Sequence, residues 1–452
     1  MNTHRRYCSV ALLCSALAAC SPQNPPAAVA SSTPADTVNP IDLLHYDIQL
    51  QPDLATATVR GRVVLRLRLQ ADVADHLLLD SDGLAIDAAR LDGEAVTTLA
   101  AGKQLQVMLP RPRQRGELLD IELRYHGKPR FGLQFPADQA QLYTIFSTQQ
   151  WVPGIARPGE RAGFDLRVIL PGDFGAAASG ELVSSENLDS GRQIFHWRQT
   201  RPIPAYVMGF VAGKFDSAQW YDDTLFFNAY SASLGQEELR RVFADSSDML
   251  AYFARRAGVA YPYREYSQAL VSETIGQELA GLALYSDAYG RRVLEQPESV
   301  GLIAHEAAHQ WWGNEVTCRD WTDFWLNEGF ATFMAATYLE HRFGREAYLR
   351  QVEGWRKRVD ELVAAGKDKP LHFADWNQPS ADDRAVVYQK GAYFLHQLRE
   401  HLGEDAFWRG IALYTKKHFG TAVDSADFVA AMRAVAPAEH SGFINAAIYG
   451  PR

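Results

Sequence analysis

Cysteine is scarce in this sequence, with 4 residues in a chain of 452. Three of them, Cys8, Cys14 and Cys20, fall at the N-terminus, and Cys318 is alone in the rest of the chain. A single cysteine forms no intrachain disulfide, which excludes a small disulfide-held scaffold for the main part of the chain. A hydrophobic content of 47% is instead sufficient for about two or three domains with cores of their own.

Basic residues are fewer than acidic residues in this chain. It has 45 Lys and Arg residues against 54 Asp and Glu residues, and its formal net charge is −9 at pH 7. A protein that binds nucleic acid needs a basic surface, because contacts to phosphate supply much of the affinity. The composition therefore argues against nucleic acid as a partner.

Long apolar runs are also missing, apart from one short stretch near the N-terminus. Val10–Ala19 is apolar and follows the basic pair Arg5 and Arg6. The stretch is too short to serve as a permanent membrane span. It is typical of the apolar region of a signal peptide, so we expect residues 1–19 to be absent from the mature protein.

The end of this stretch, Leu17-Ala18-Ala19-Cys20, resembles the cleavage site of bacterial lipoproteins. The resemblance implies that acyl chains attached to Cys20 anchor the protein to a membrane of the bacterial cell envelope. Ser21 after the cysteine resembles the signal for sorting to the outer membrane. The expected location is therefore the outer membrane, with the folded part facing the periplasm.

The pattern of the remaining chain changes twice. Residues 20–39 consist largely of Pro, Ala, Ser and Thr without an apolar period, which predicts a disordered linker. Residues 40–216 alternate apolar and polar positions over short stretches, which predicts a β-rich domain of sandwich or saddle shape. Residues 217–452 contain long segments of helical period, such as Pro297–Trp312 and Ala385–His401, and predict a mostly helical domain. The predicted fold class is α+β.

The segment HEAAH, residues 305–309, has two histidines separated by three residues within a predicted helix. Residues four apart lie about 40° apart around a helix axis and about 6 Å along it, so His305 and His309 can reach one ion. Glu306 lies beside this pair, where its carboxylate can accept a proton from water instead of binding the ion. The simpler alternative is an alanine-rich helix with two structural histidines.

The third candidate ligand is acidic: Glu328, nineteen residues after His309. The polar stretch Glu315–Asp323 predicts a connection that returns a second helix towards the first, so that His305, His309 and Glu328 converge. Two histidines and one glutamate are the ligand set of a hydrolytic zinc site, which leaves one position for water. The sequence therefore predicts one Zn²⁺ per chain and hydrolysis of peptide bonds.

Two stretches, HEAAHQWWGN at residues 305–314 and WLNEGFA at residues 325–331, resemble the aminopeptidase N and leukotriene hydrolase family of gluzincins. The resemblance extends from about Ile41 to the end of the chain. It implies a β-rich domain followed by a thermolysin-like catalytic domain that removes N-terminal residues from peptides. The long C-terminal helical domain of larger relatives is outside the resemblance, which implies a more open cleft.

The same resemblance implies roles for residues outside the zinc motifs. Tyr388, in the stretch YQKGA, corresponds to the tyrosine whose hydroxyl donates a hydrogen bond to the oxyanion. Glu278 corresponds to the glutamate that binds the free α-amino group of the substrate. Gln149 or Gln150 is expected to assist at the amine. By residue type alone, Tyr388 could be a packed core tyrosine and Glu278 a solvated loop carboxylate.

The stretch around Glu278 departs from the family pattern Gly-Ala-Met-Glu-Asn. The pair Ile275-Gly276 replaces Gly-Ala, Gln277 replaces the methionine and Leu279 replaces the asparagine. Because of these departures, a metalloendopeptidase or a peptidase that releases dipeptides remains an alternative to an aminopeptidase. A third alternative is a non-catalytic surface-binding lipoprotein, although the complete set of ligands and catalytic residues argues against it.

Overall fold

The chain is described here by a computed structural model covering residues 40–136, 141–189, 191–222, 225–274, 276–374, 379–436 and 441–450. The predicted signal peptide, the predicted linker and Cys20 lie outside these residues. Strands dominate the described chain up to Gly213, and helices dominate it from Gln236 onwards. The predicted α+β class, with a β-rich part followed by a mostly helical part, is confirmed.

The β-rich part consists of strands of very different lengths, with short 3-10 turns at Thr148–Gln150 and Ala205–Val207. In chain order the strands are β1 (Ile41–Asp53), β2 (Thr58–Leu69), β3 (His76–Asp80), β4 (Leu84–Leu91), β5 (Glu94–Ala95), β6 (Thr98–Ala101), β7 (Gln104–Met108), β8 (Leu118–Gly127), β9 (Leu133–Gln134), β10 (Gln141–Thr144), β11 (Arg161–Pro171), β12 (Gly175–Ala178), β13 (Glu181–Leu188), β14 (Arg192–Pro204) and β15 (Phe210–Gly213).

One large sheet has the strand order β13-β14-β11-β1-β2-β8-β4-β5, and smaller sheets have the orders β12-β15-β10-β9 and β3-β7-β6. In β2, the alternate residues Val63, Leu65 and Leu67 are fully buried. The residues between them point away from this core, and Arg66 pairs with Asp120 of β8 at 3.0 Å. One buried face and one solvated face explain the period of two in the sequence.

The helical part still contains strands, and a π-helical turn, Val386–Lys390, lies between two of its helices. In chain order its elements are β16 (Asp216–Asp222), β17 (Leu225–Ser231), α1 (Gln236–Val242), α2 (Ser246–Ala257), β18 (Glu265–Val271), β19 (Gly276–Gln277), β20 (Leu282–Ser286), α3 (Asp287–Glu295), α4 (Gly301–His309), β21 (Val316–Cys318), α5 (Trp325–Phe343), α6 (Arg345–Ala364), α7 (Ala381–Ala385), α8 (Gly391–Leu402), α9 (Glu404–His418), β22 (Thr421–Val423), α10 (Ser425–Arg433) and α11 (Ser441–Tyr449).

The strands of this part form a sheet of order β16-β17-β18-β20-β19, and the helices pack against one another beside it. Trp311, Trp312 and Trp325 are fully buried in the helical core. The segment Ala385–His401, predicted as one helix, is divided by the π turn, which changes the direction of the side chains within it. No helix among the described residues has the length and apolarity that a membrane span requires.

Charged groups join the β-rich part to the helical part. Glu315, which follows α4, is fully buried and accepts hydrogen bonds from Nε and Nη2 of Arg201 at 2.8 and 2.9 Å. Arg161 donates from Nη1 to the carbonyl oxygen of Asn314 at 2.8 Å. These contacts hold β11 and β14 against the segment that directly follows α4, and so connect the β-rich part to the site.

Candidate metal centre and substrate cleft

Helix α4 carries both predicted histidine ligands and the predicted base. Most of its other residues are small or apolar and buried, so the helix packs closely against its neighbours. Nδ1 of His309 lies 3.0 Å from the carbonyl oxygen of Trp312. A carbonyl only accepts hydrogen bonds, so Nδ1 carries the proton and Nε2 keeps its lone pair for an ion.

Helix α5 carries Glu328 in its first turn, and the neighbouring Asn327 is held from both sides. Its Nδ2 donates to the hydroxyl of Tyr206 at 2.9 Å, and its Oδ1 accepts from the backbone N of Cys318 at 3.0 Å. Tyr206 in turn donates to the carbonyl oxygen of Gly313 at 2.6 Å. The beginning of α5 is thus fixed to the segment after α4, and Glu328 returns to the histidine pair as predicted.

The three predicted ligands meet at one point. Nε2 of His305 lies 3.0 Å from Nε2 of His309, and Oε2 of Glu328 lies 3.3 Å from the first nitrogen and 3.4 Å from the second. Zinc bonds of about 2.0 to 2.2 Å in a tetrahedral site give ligand-to-ligand distances of about 3.3 to 3.6 Å. The three atoms therefore fit one zinc ion, and they form the only such group among the residues that the structure describes.

The charges of the site also favour a cation. Burial opposes a charge on His309, but the carboxylates of Glu328, Glu278 and Glu306 outweigh it and raise the pKa of His309 to about 10. Burial likewise opposes the charge on Glu328, yet His309 and His305 lower the pKa of that carboxyl to about 2. A buried group of carboxylates that draws positive charge so strongly is suited to a divalent ion.

Glu306 lies beside the ligands without being one of them. Its carboxylate rests on Gly276, where a Cβ atom would collide with Oε1. The replacement of alanine by Gly276 therefore leaves room for this carboxylate. Burial raises the pKa of Glu306 well above its usual value, and Glu278 and Glu328 add to the rise while His309 opposes it. A carboxylate of raised basicity next to a metal site is suited to accept a proton from water.

Tyr388 lies in the π turn and faces the metal site. Its ring stacks on His305 with a centroid distance of 6.0 Å and an angle of 10°, and its hydroxyl lies close to Glu328. Burial first, and then the nearby carboxylates, raise the pKa of Tyr388 well above 10, so its hydroxyl keeps the proton that a donor needs. Tyr388 is therefore packed, as the alternative of a core tyrosine required, but its ring and hydroxyl lie against the metal ligands.

A contact between two glycines sets the position of Tyr388 relative to Glu328. Gly329 of α5 and Gly391 of α8 touch, and a Cβ atom on either would lie 3.0 Å from the Cα atom of the other. Glu328 directly precedes the first glycine, and Tyr388 lies three positions before the second. Because no side chain separates the two helices here, their backbones approach closely enough for ligand and tyrosine to share one site.

Glu278 is buried, with 4% of its surface exposed, which contradicts the alternative of a solvated carboxylate. It belongs to residues 276–281, which we call the Glu278 loop. Its backbone oxygen accepts from Nδ2 of Asn314 at 2.9 Å, and its Oε2 accepts from Nε2 of Gln277 at 2.7 Å. Burial raises the pKa of Glu278 to about 7, with Glu328 adding to the rise and His309 opposing it.

Comparisons with known proteins identify the family. The sequence profile of the Peptidase M1 N-terminal domain matches residues 43–207, and that of the Peptidase family M1 domain matches residues 243–445. The chain belongs to the M1 family of peptidases. Both the β-rich part and the metal-binding part thus have counterparts in one family, as the resemblance of the motifs predicted.

Individual relatives of the M1 family agree with this assignment. Aminopeptidase 2 of Candida albicans is 25% identical over 83% of this chain, which spans 43% of the length of that relative. The M1 zinc metallopeptidase of Deinococcus radiodurans has 25% identity and a TM-score of 0.77, over 92% of this chain and 94% of the other. A mutant of it, solved with the substrate Tyr-Ser-Ala, has 25% identity and a TM-score of 0.75, over 91% and 95% of the two chains.

The structure separates the two glutamines that were predicted at the amine. Oε1 of Gln150 accepts from the backbone nitrogens of residues 130–132, and its Nε2 donates to Asp82 at 2.9 Å. The amide of Gln150 is therefore engaged within the β-rich part, and the prediction for it is revised to a structural role. Gln149 lines a small cavity together with Phe146, Tyr206 and Trp321, so it keeps the predicted role as a candidate.

Two residues of the zinc motif of this M1 peptidase have roles that the sequence did not reveal. Oε1 of Gln310 accepts from the backbone N of Gly281 at 2.9 Å, and its Nε2 donates to the carbonyl oxygen of Leu279 at 3.2 Å. Together with Asn314, Gln310 therefore holds the backbone of the Glu278 loop. Their position in the stretch HEAAHQWWGN was the available signal, since polar residues directly after a ligand helix can reach the cleft.

Proposed function

We propose that this protein is a zinc-dependent aminopeptidase that hydrolyses N-terminal residues from peptides. The observation that carries the proposal is the proximity of one zinc-ligand set, Glu306, Tyr388 and a buried Glu278. Relatives that match over most of this chain are aminopeptidases by name, and the Deinococcus radiodurans neighbour is a zinc metallopeptidase solved with a tripeptide substrate.

His305, His309 and Glu328 hold the ion in this proposal. Zinc bound there supplies Lewis acidity towards the peptide carbonyl and lowers the pKa of water. Glu306 accepts the proton of the attacking water and delivers it to the nitrogen of the departing peptide. The C–O bond forms first, and the C–N bond breaks once the nitrogen has received this proton, so the departing nitrogen leaves as a neutral amine.

Tyr388 and Glu278 position and stabilise the substrate in the same proposal. The hydroxyl of Tyr388 donates a hydrogen bond to the carbonyl oxygen as negative charge develops on it. The carboxylate of Glu278 binds the α-ammonium group of the first residue, which places the first peptide bond beside Glu306. Gln149 is our candidate for a further contact to this end of the substrate, because it lines the neighbouring cavity.

Comparison of a free tripeptide with its N-acetylated form tests the claim that the amine is recognised. Acetylation removes the positive charge that Glu278 binds, so we expect kcat/KM for the acetylated peptide to be at least about 100-fold lower. Hydrolysis is measured by chromatography of the products, with zinc content checked in the same preparation. Equal rates, or cleavage at internal bonds of longer peptides, would instead identify an endopeptidase.

We also propose that the protein is a lipoprotein of the bacterial outer membrane, anchored through Cys20 and acting on peptides in the periplasm. The support is the sequence alone: the basic pair, the short apolar run and the stretch LAAC before Ser21. Mass spectrometry of the protein from membranes is expected to show an acylated N-terminal Cys20. Recovery of the Cys20→Ser variant from the same membrane fraction, in the same amount, would contradict the anchor.

A further inference from the structure

Gln277 connects the Glu278 loop to the β-rich part through a single side chain. Its Nε2 donates to Oε2 of Glu278 at 2.7 Å, and its Oε1 accepts from the backbone N of Phe146 at 3.1 Å. Phe146 follows β10 in the β-rich part, 131 positions earlier in the chain. Gln277 is fully buried, and its contact with Glu278 is to the carboxylate itself.

The orientation of this amide is determined by its neighbours. The backbone N–H of Phe146 can only donate, so it requires the oxygen of Gln277. The nitrogen then faces Oε2 of Glu278, which accepts its hydrogen bond. In the reversed orientation both contacts would be repulsive. The amide nitrogen of Gln277 would face the N–H of Phe146, and its oxygen would face the carboxylate of Glu278. One amide therefore satisfies a buried donor and a buried acceptor at the same time.

The backbone of Phe146 is itself held in place. Its φ of 35° is unusual for a residue with a side chain, so the turn is supported by its surroundings. Its carbonyl oxygen accepts from the backbone N of Thr148 at 2.7 Å and from Oγ1 of Thr148 at 3.1 Å. Its ring stacks on Tyr206 at 6.3 Å with an angle of 9°. Gln277 therefore ties the Glu278 carboxylate to a fixed point of the β-rich part.

We propose that Gln277 is a positioning residue for recognition of the substrate's amine, acting through Glu278. This inference rests on the proposed role of Glu278. A methionine, which the family pattern has at this position, neither donates a hydrogen bond nor accepts one strongly, so it could not connect Phe146 to Glu278. In this chain the direction of the carboxylate is thus set from the β-rich part, through a contact that the family pattern does not contain.

The test compares Gln277→Met and Gln277→Leu with Gln268→Met in the zinc-loaded protein. Gln268 is a buried glutamine in β18 of the same sheet, and its amide has no hydrogen-bond partner among the described residues, so it is a matched control. For a free tripeptide, both Gln277 variants are expected to raise KM about tenfold, since a hydrogen bond to a charged group is lost, with kcat within about twofold. Gln268→Met is expected to leave both constants unchanged.

Glu278→Ala and the double variant Gln277→Met with Glu278→Ala complete the test. If Gln277 acts through Glu278, its substitution raises KM no further once Glu278 is absent. Equal effects of Gln277→Met in the two backgrounds would overturn the proposal, as would a KM of both Gln277 variants equal to that of Gln268→Met. A Glu278→Ala protein that still discriminates fully between free and acetylated peptides would refute the proposed role of Glu278 instead.

Discussion

The ligand set and the Glu278 loop are supported in different ways. His305, His309 and Glu328 lie on α4 and α5, and the regular spacing of helices brings them together. The Glu278 loop is held by polar contacts from outside itself, through Gln310, Asn314 and, across the border to the β-rich part, Phe146. Two helices thus carry the metal ligands, while a loop that is held by contacts from other segments carries the recognition of the substrate. Substitutions on the two sides are expected to affect different kinetic constants.

The largest effect is expected on the helix side, from Glu306→Gln. The change removes the proton acceptor and keeps the shape and the three metal ligands, so kcat falls by about 1000-fold or more. Zinc content by elemental analysis and KM for a free tripeptide are expected to remain near the values of the unmodified protein. A kcat within about tenfold of normal would show that another group accepts the proton.

Removal of the Tyr388 hydroxyl is expected to have the next largest effect. Tyr388→Phe loses the donor to the oxyanion and is expected to lower kcat by about 100- to 1000-fold, with little change in KM. Tyr414→Phe is the matched control, because Tyr414 is buried and its hydroxyl has no hydrogen-bond partner among the described residues. The assignment fails if the two variants have the same kcat.

Glu315→Gln tests how much the contacts between the β-rich part and the helical part contribute to stability. The change removes a buried charge that faces Arg201 and Arg161, and it is expected to lower the free energy of unfolding by about 3 kcal/mol. Denaturant unfolding measures the loss, and Glu353→Gln, at an exposed pair with Arg356, is expected to leave the stability nearly unchanged. Similar losses in the two variants would show that the border contributes little.

The smallest effect is expected from Gly391→Ala. A methyl group there presses on the backbone of Gly329 and moves Tyr388 away from Glu328, so kcat is expected to fall about tenfold. Stability changes little, because the better helix propensity of alanine offsets the strain. Gly442→Ala in α11, where a Cβ atom meets open space, is the control with unchanged kcat. If Gly391→Ala also leaves kcat unchanged, the close helix contact does not position the tyrosine.

The ligand set could be predicted from the sequence because its geometry is local. His305 and His309 are one helical turn apart, and Glu328 follows a short polar connection, so spacing and residue type were sufficient. The β-rich part was equally visible, since alternate residues of β2 are buried and exposed as its sequence alternates. The predicted positions of the domain boundaries remain predictions.

The supports of the site were not predictable, because they join residues far apart in the chain. The hydroxyl of Tyr206 bonds to Asn327 over 121 positions, and Phe146 bonds to Gln277 over 131. The periodicity of the sequence does not predict hydrogen bonds between residues so far apart. The two adjacent glutamines, Gln149 and Gln150, also could not be told apart, because only the folded backbone shows that one amide faces Asp82 while the other residue lines the cavity.

The anchoring of the beginning of α5 by two distant segments has a consequence for the order of folding. Asn327 needs the hydroxyl of Tyr206, and the indole nitrogen of Trp325 donates to Oγ of Ser425 at 2.9 Å, 100 positions later. A chain in which Ser425 has not yet joined the fold therefore lacks one of the two anchors at the beginning of α5. Since contacts over long separations form late in folding, we expect the beginning of α5, with Glu328 in it, to reach its final position only after Ser425 has joined the fold.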